Sequence, residues 1–262
     1  MPSNKGLEWT FDTASSVYEK MRPGYVDALY WEIFDYIPMN ASCKAVEVGI
    51  GTGQATLPIL ATGCELTAVE YGESLAEKCR IKFKDYPTFS VITGKFEDAN
   101  IEKDSYDLVF SATAFHWIPE ELGYQKVYSI LKQGGAFARF ANHPYPSKDN
   151  PPLREEIDGL YATYHHSDKK KTLKEYSEEQ AIGLAAIASK YGFVDVRHAM
   201  FYRIRTFTAK EYVALLATYS DNIALDEPVR MEFFSKIEEA INKHGGEINI
   251  HDTIDLQLAR KA

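Results

Sequence analysis

The chain is poor in cysteine. Three in 262 residues, Cys43, Cys64 and Cys79, form neither a CxxC pair nor an even count, which excludes a disulfide framework and a structural zinc site and suits reduced thiols in a cytoplasm. His165 and His166 are adjacent, but no third ligand stands at a suitable spacing and Lys169, Lys170 and Lys171 follow at once, so a solvated loop is expected there and no metal. The opening MPSNKGLEWTFD lacks an apolar core, and no later run approaches the roughly 20 apolar residues of a bilayer span, so neither export nor membrane insertion is expected. Positive charge is also scarce. With 29 Lys and Arg against 38 Asp and Glu the formal net charge is -9, the wrong sign for neutralising nucleic-acid phosphates. What remains, 45% hydrophobic and 26% charged residues, is the composition of a globular protein, and small molecules are its expected partners.

Val26, Leu29, Tyr30, Ile33, Phe34 and Ile37 share one helical face over 25–37, and a shorter helix is expected over 14–21, stopped by Pro23 so that Arg22 lies in a turn. KAVEVG (44–49) reads as a buried strand breaking into the loop IGTG, with QATLPILATG as the helix behind it, closed by Gly63. Further strands are expected at 65–70, 89–93, 106–111 and 136–142, with helices over 74–85 and 119–131. Such alternation implies a parallel sheet with helices on both faces. From His143 to Ser177 prolines and tyrosines break the pattern, as an insertion or lid would. Helices return over 178–191, 208–219 and 227–244, with a strand at 194–206. The closing EINIHDTIDLQLARK alternates like a half-exposed edge strand pairing antiparallel with the sheet. The expected fold is α/β: a doubly wound, Rossmann-like, mostly parallel sheet of about seven strands with one antiparallel C-terminal strand. It is expected as a single domain over 1–262, with cap elements at about 1–36, 143–177 and 207–244.

The strongest chemical signal is VEVGIGTG, where Glu47, Gly49, Gly51 and Gly53 stand between a strand and a helix. Glycines there allow a sharp turn and let a ligand approach the main chain, so a nucleotide cofactor is implied. A dinucleotide fingerprint would need a third glycine at position 54, which is Gln54. Glu47 would repel a diphosphate and attract a ligand carrying ammonium and sulfonium charges, which S-adenosylmethionine does. Glu70, about twenty residues on at the end of the second strand, is placed to accept hydrogen bonds from both ribose hydroxyls, although a lone glutamate is also ordinary surface.

VEVGIGTGQATLPIL, TAVEYGE, TGKFEDANI, YDLVFSATAFHWI and LKQGGAFARF together resemble the successive motifs of class I S-adenosylmethionine-dependent methyltransferases over residues 44–140. More narrowly, YEKMRPGY and FTAKEYVALLATYSD resemble the small-molecule branch that includes trans-aconitate methyltransferase-like proteins. By that resemblance Glu97 sits beside the adenine with Phe96 stacking near it, although Lys95 departs from the family pattern and Phe96 reads equally as core. Ser111 and Thr113 would line the methionine part of the pocket. Arg22 would pair with the cofactor carboxylate or lie on the surface. His116 would act as a general base toward a hydroxyl or amine, or form the pocket wall with Trp117 as an apolar floor. No NPPY-type motif follows the fourth strand, so the resemblance gives no support to DNA base methylation.

The expected activity is transfer of a methyl group to a small-molecule acceptor by in-line displacement, driven chiefly by positioning. Tyr145, Tyr161, Tyr164 and Tyr219 are candidate lining residues for the acceptor. Two alternatives remain at this level: a nicotinamide-dependent oxidoreductase on a related fold, against which Gln54 counts, and a non-catalytic S-adenosylmethionine-binding protein.

Overall fold

A computed structural model of the chain describes residues 24–165 and 174–262. The helix expected over 14–21, Arg22, His166 and the three lysines at 169–171 lie outside the described residues.

In chain order the elements are α1 (Asp27–Tyr36), β1 (Lys44–Val48), α2 (Thr56–Leu60), β2 (Glu65–Glu70), α3 (Glu73–Lys82), β3 (Phe89–Thr93), β4 (Tyr106–Ala112), a 3-10 turn (Phe115–Trp117), α4 (Glu120–Ile130) and β5 (Leu131–Pro146). There follow α5 (Pro151–Tyr164), α6 (Glu178–Ala186), a second 3-10 turn (Ile187–Tyr191), β6 (Phe193–Thr208), α7 (Ala209–Leu216), α8 (Ser220–Ile223), α9 (Glu227–Lys243) and β7 (Glu247–Lys261). The seven strands form one sheet in the order β3-β2-β1-β4-β5-β7-β6. β3, β2, β1, β4 and β5 run parallel, with Glu47 opposite Ala68 and Phe110. β7 runs against β5, because contacts move back along β7 as they move forward along β5: Ala141 meets Asp255 and Ser147 meets Asn249.

The described chain falls into two compact units. The first comprises residues 24–142, 177–201 and 254–262. Period-two alternation sends its strand residues to two cores. Ala45, Leu66, Ala68, Leu108, Phe110, Ala138 and Phe140 face one, with Leu29 and Ile33 of α1, Ile59 of α2 and Cys79 of α3. Val46, Val48, Val69, Val109 and Phe137 face the other, with Tyr124, Val127 and Ile130 of α4. This is the doubly wound arrangement the alternation implied.

The second unit comprises the described residues 143–165, 174–176 and 202–253. Leu153 and Ile157 of α5, Leu215 and Leu216 of α7 and Phe233, Ile237 and Ile241 of α9 form its core with Ile248 and Ile250. The segment read as an irregular insertion therefore holds a helix. α5 begins where Asn150 accepts the Leu153 N–H with proline in the first turn, and α7 begins on a Thr208–Glu211 capping box.

β7 corrects one expectation. It is not a half-exposed edge strand but lies between β5 and β6, buried from Asp252 to Ala259. Its polar positions look solvent-facing in the sequence, yet both of its buried aspartates are bonded inside. Asp252 receives Arg203 and Arg205, while Asp255 receives the Ala141 N–H and the Gln257 amide. The edge position falls to β6.

Candidate cofactor site

β1 ends at Val48, and the chain turns through Gly49, Gly51 and Gly53, all in the left-handed region. The three glycines are required for different reasons. A Cβ on Gly49 would collide with Ala114, and one on Gly53 would stand 2.6 Å from the Phe83 ring. A Cβ on Gly51 would meet nothing within 4 Å. Packing thus accounts for the first and third glycines, while beside Gly51 there is open space.

Glu70, at the end of β2, reaches this loop. Its carboxylate accepts the Gly51 N–H at 2.8 Å and the Gly72 N–H at 2.9 Å, and the residue is 8% exposed. An ionised carboxylate has about four acceptor sites, so it can hold these amides and a ligand's donors together. Glu47 is 1% exposed and accepts from the Thr56 hydroxyl at 2.7 Å. Burial pushes its carboxyl up to about 8; the Thr56 hydrogen bond opposes this, the neighbouring Glu70 charge adds to it and the Lys82 ammonium opposes it. A buried carboxyl of this kind gains from an arriving cation.

Three side chains that sequence reading passed over hold the loop from α3 and the residue after it. The Cys79 thiol donates to the Gly51 carbonyl at 3.2 Å, the Lys82 ammonium donates to the Thr52 carbonyl at 2.8 Å, and the Phe83 ring packs against Gly53. Cys79 and Lys82 are one helical turn apart, but nothing in the sequence says which loop that turn meets.

The remaining candidates are spread out. Ser111 is fully buried and its hydroxyl donates to the Val48 carbonyl, tying β4 to β1. Thr113, exposed and at φ 55°, shares a 2.6 Å hydrogen bond with the Tyr25 hydroxyl, and its Oγ1 accepts the Asn142 N–H. Phe96 is buried in the core that α4 covers, with the Lys126 ammonium 5.4 Å from its ring. The Glu97 carbonyl accepts from Lys126, and its side chain is half-buried. His116 is exposed on the 3-10 turn after β4, its ring 5.2 Å from that of half-buried Trp117. The described part of the RPGY turn, Gly24 and Tyr25, approaches Gln54 and Thr113.

Open space at Gly51, a carboxylate anchored on its amide and a buried carboxyl behind it fit a nucleoside ligand bearing positive charge. The methyltransferase domain family matches residues 46–138, spanning this loop, Glu70 and β4. An uncharacterized methyltransferase-like protein of Schizosaccharomyces pombe is 25% identical over 88% of this chain and 85% of its own length. The chain carries a methyltransferase domain, and its activity is S-adenosylmethionine-dependent methyl transfer. Among solved structures, a candidate type II methyltransferase from Anaeromyxobacter dehalogenans superposes on 92% of the methyltransferase and 98% of its own chain, with a TM-score of 0.64 and 17% identity. The phosphoethanolamine N-methyltransferase 2 of Haemonchus contortus, solved with S-adenosylhomocysteine, superposes at a TM-score of 0.56 and 15% identity. The methyltransferase covers 61% of that longer chain. Among its described residues there is no group of three His, Cys, Asp or Glu that could hold a metal, and no helix is long and apolar enough to cross a membrane.

Proposed function

We propose that Glu47, Gly49, Gly51, Gly53 and Glu70 form the S-adenosylmethionine site and that the methyl group passes to a small-molecule acceptor. The observation that carries this is the Glu70 carboxylate, held at 2.8 Å on the amide of the one loop glycine with open space beside it. A carboxylate so placed suits a pair of ribose hydroxyls, and buried Glu47 supplies the negative counterpart to a cationic ligand. Bound S-adenosylmethionine supplies an electrophilic methyl carbon on a sulfonium. The chain's part is to hold that carbon in line with the acceptor and keep water away, for which positioning alone gives much of the acceleration. Thr113 and His116 follow β4 at the carboxyl end of the sheet, where open α/β proteins bind their ligands. We assign His116 and Trp117 to the acceptor side of that end, as pocket wall rather than general base. A formal charge of -9 favours a small acceptor over nucleic acid.

Incubation with labelled S-adenosylmethionine and a metabolite extract, followed by mass identification of the product, tests the acceptor class; label on nucleic acid or protein would sink it. For His116→Ala the expectation is a modest fall in turnover with the pH profile intact. A loss of about a hundredfold together with a vanished pH dependence would make His116 a base instead.

A further inference from the structure

The α3 helix touches the glycine loop through a charge, the Lys82 ammonium. We propose that Lys82 is a positioning residue of the cofactor site, holding the loop by the Thr52 carbonyl and offsetting the paired carboxylates Glu47 and Glu70. This rests on the reading that the loop and those carboxylates bind S-adenosylmethionine.

Cys79, Lys82 and Phe83 meet three successive parts of one loop, at Gly51, Thr52 and Gly53. Cys79 and Phe83 are buried and uncharged contacts, whereas Lys82 stands at the surface with its ammonium on the loop side, 5.5 Å from the Phe83 ring centre. The titratable and polar groups that act on Glu47 come from four elements, while β4 sets the apolar Phe110 opposite it. α2 supplies the Thr56 hydroxyl, β2 supplies Glu70, α1 supplies the Tyr30 phenol, and α3 supplies Lys82, the cation of the set among the described residues. Burial and the neighbouring Glu47 charge keep the Tyr30 phenol protonated, and its hydroxyl donates to the Ala55 carbonyl, so it offers no compensation. Two largely buried carboxyls in one another's field resist ionising together. An ammonium in the same field eases that resistance, and fastening it to the Thr52 carbonyl ties the easing to the loop's bound-ready shape. Because Lys82 is exposed, solvent screens its field and the effect is moderate.

The test is calorimetric titration of S-adenosylmethionine into the wild type, Lys82→Met, Lys82→Arg and Glu70→Gln, from about pH 6 to about pH 9, the range in which a raised carboxyl titrates. Lys82→Met is expected to bind about fivefold more weakly near neutral pH, within what one charge-assisted hydrogen bond supplies. That deficit should narrow as pH rises above about 8, because Glu47 without the ammonium ionises later than its present value of about 8. Lys82→Arg should restore both the affinity and the pH profile. An unchanged affinity in Lys82→Met, a deficit of the same size at every pH, or an arginine variant no better than methionine would overturn the proposal, since the lysine would then be absent from the site or a mere brace. Failure of the underlying site reading shows separately, as native affinity in Glu70→Gln.

Discussion

Two carboxylates in this methyltransferase are equally buried and oppositely served. Glu47, behind the glycine loop, is 1% exposed and accepts from one hydroxyl among the described residues. Asp252, in the second unit, is also 1% exposed, but its two oxygens receive Arg203 and Arg205, each through two nitrogens. A buried charge without a bonded counter-ion is costly, and such a group neutralises instead, which is the direction of the Glu47 shift. A buried charge between two guanidinium groups is a finished structural element. The lesson is that burial alone does not mark a site. What marks it is a buried acid that no guanidinium or ammonium group grips directly among the described residues.

The largest effect expected from this comparison is at Asp252. Asp252→Ala leaves two guanidinium groups facing one another without their carboxylate and should lower unfolding free energy by about 3 kcal/mol, the scale of breaking a buried ion pair from one side. Chemical denaturation reads it, and a loss under about 1 kcal/mol would mean that the arginines find water instead.

At the site itself, Glu70→Gln should weaken S-adenosylmethionine binding by about 2 kcal/mol, roughly thirtyfold, since the amide accepts less strongly and repels one hydroxyl donor. Glutamine is the better probe than alanine because Glu70 also anchors the Gly51 and Gly72 amides. Calorimetry showing native affinity would remove Glu70 from the site.

The glycines separate packing from binding. Gly53→Ala drives a methyl into Phe83 and should lower the melting temperature, whereas Gly51→Ala meets open space and should cost only about 1 kcal/mol for its left-handed φ while weakening the cofactor more. Equal effects of the two variants on binding and stability would erase the distinction.

The smallest effect is a pH slope. Glu47 ionises at about 8 in the folded chain against an ordinary 4.5, so the native state holds a proton that the unfolded state releases between those values. The stability linked to it is complete below about 4.5 and is lost as pH rises through about 8. Glu47→Gln should flatten the fall in melting temperature across that window. A wild type with no fall there would show that Glu47 is charged and compensated after all.

Local chemistry alone determined much of this protein. Strand and helix order followed from period-two and helical spacing, because each element must bury one face whatever its neighbours are. The meeting of the glycine loop with Glu70 was legible because both sit at strand ends, where backbone reach leaves little freedom. The tertiary structure decided the rest. β7 reads as an edge strand from its alternation, and only the arginines of β6 and the Ala141 amide, more than forty residues away in each case, make its polar face an interior one. That the Ser111 hydroxyl ties β4 to β1 was likewise decided only in space. The grip of Cys79, Lys82 and Phe83 on the glycine loop was equally invisible. Which turn of α3 meets that loop depends on how the helix docks against the sheet, and docking is set by the packing of side chains from many elements at once.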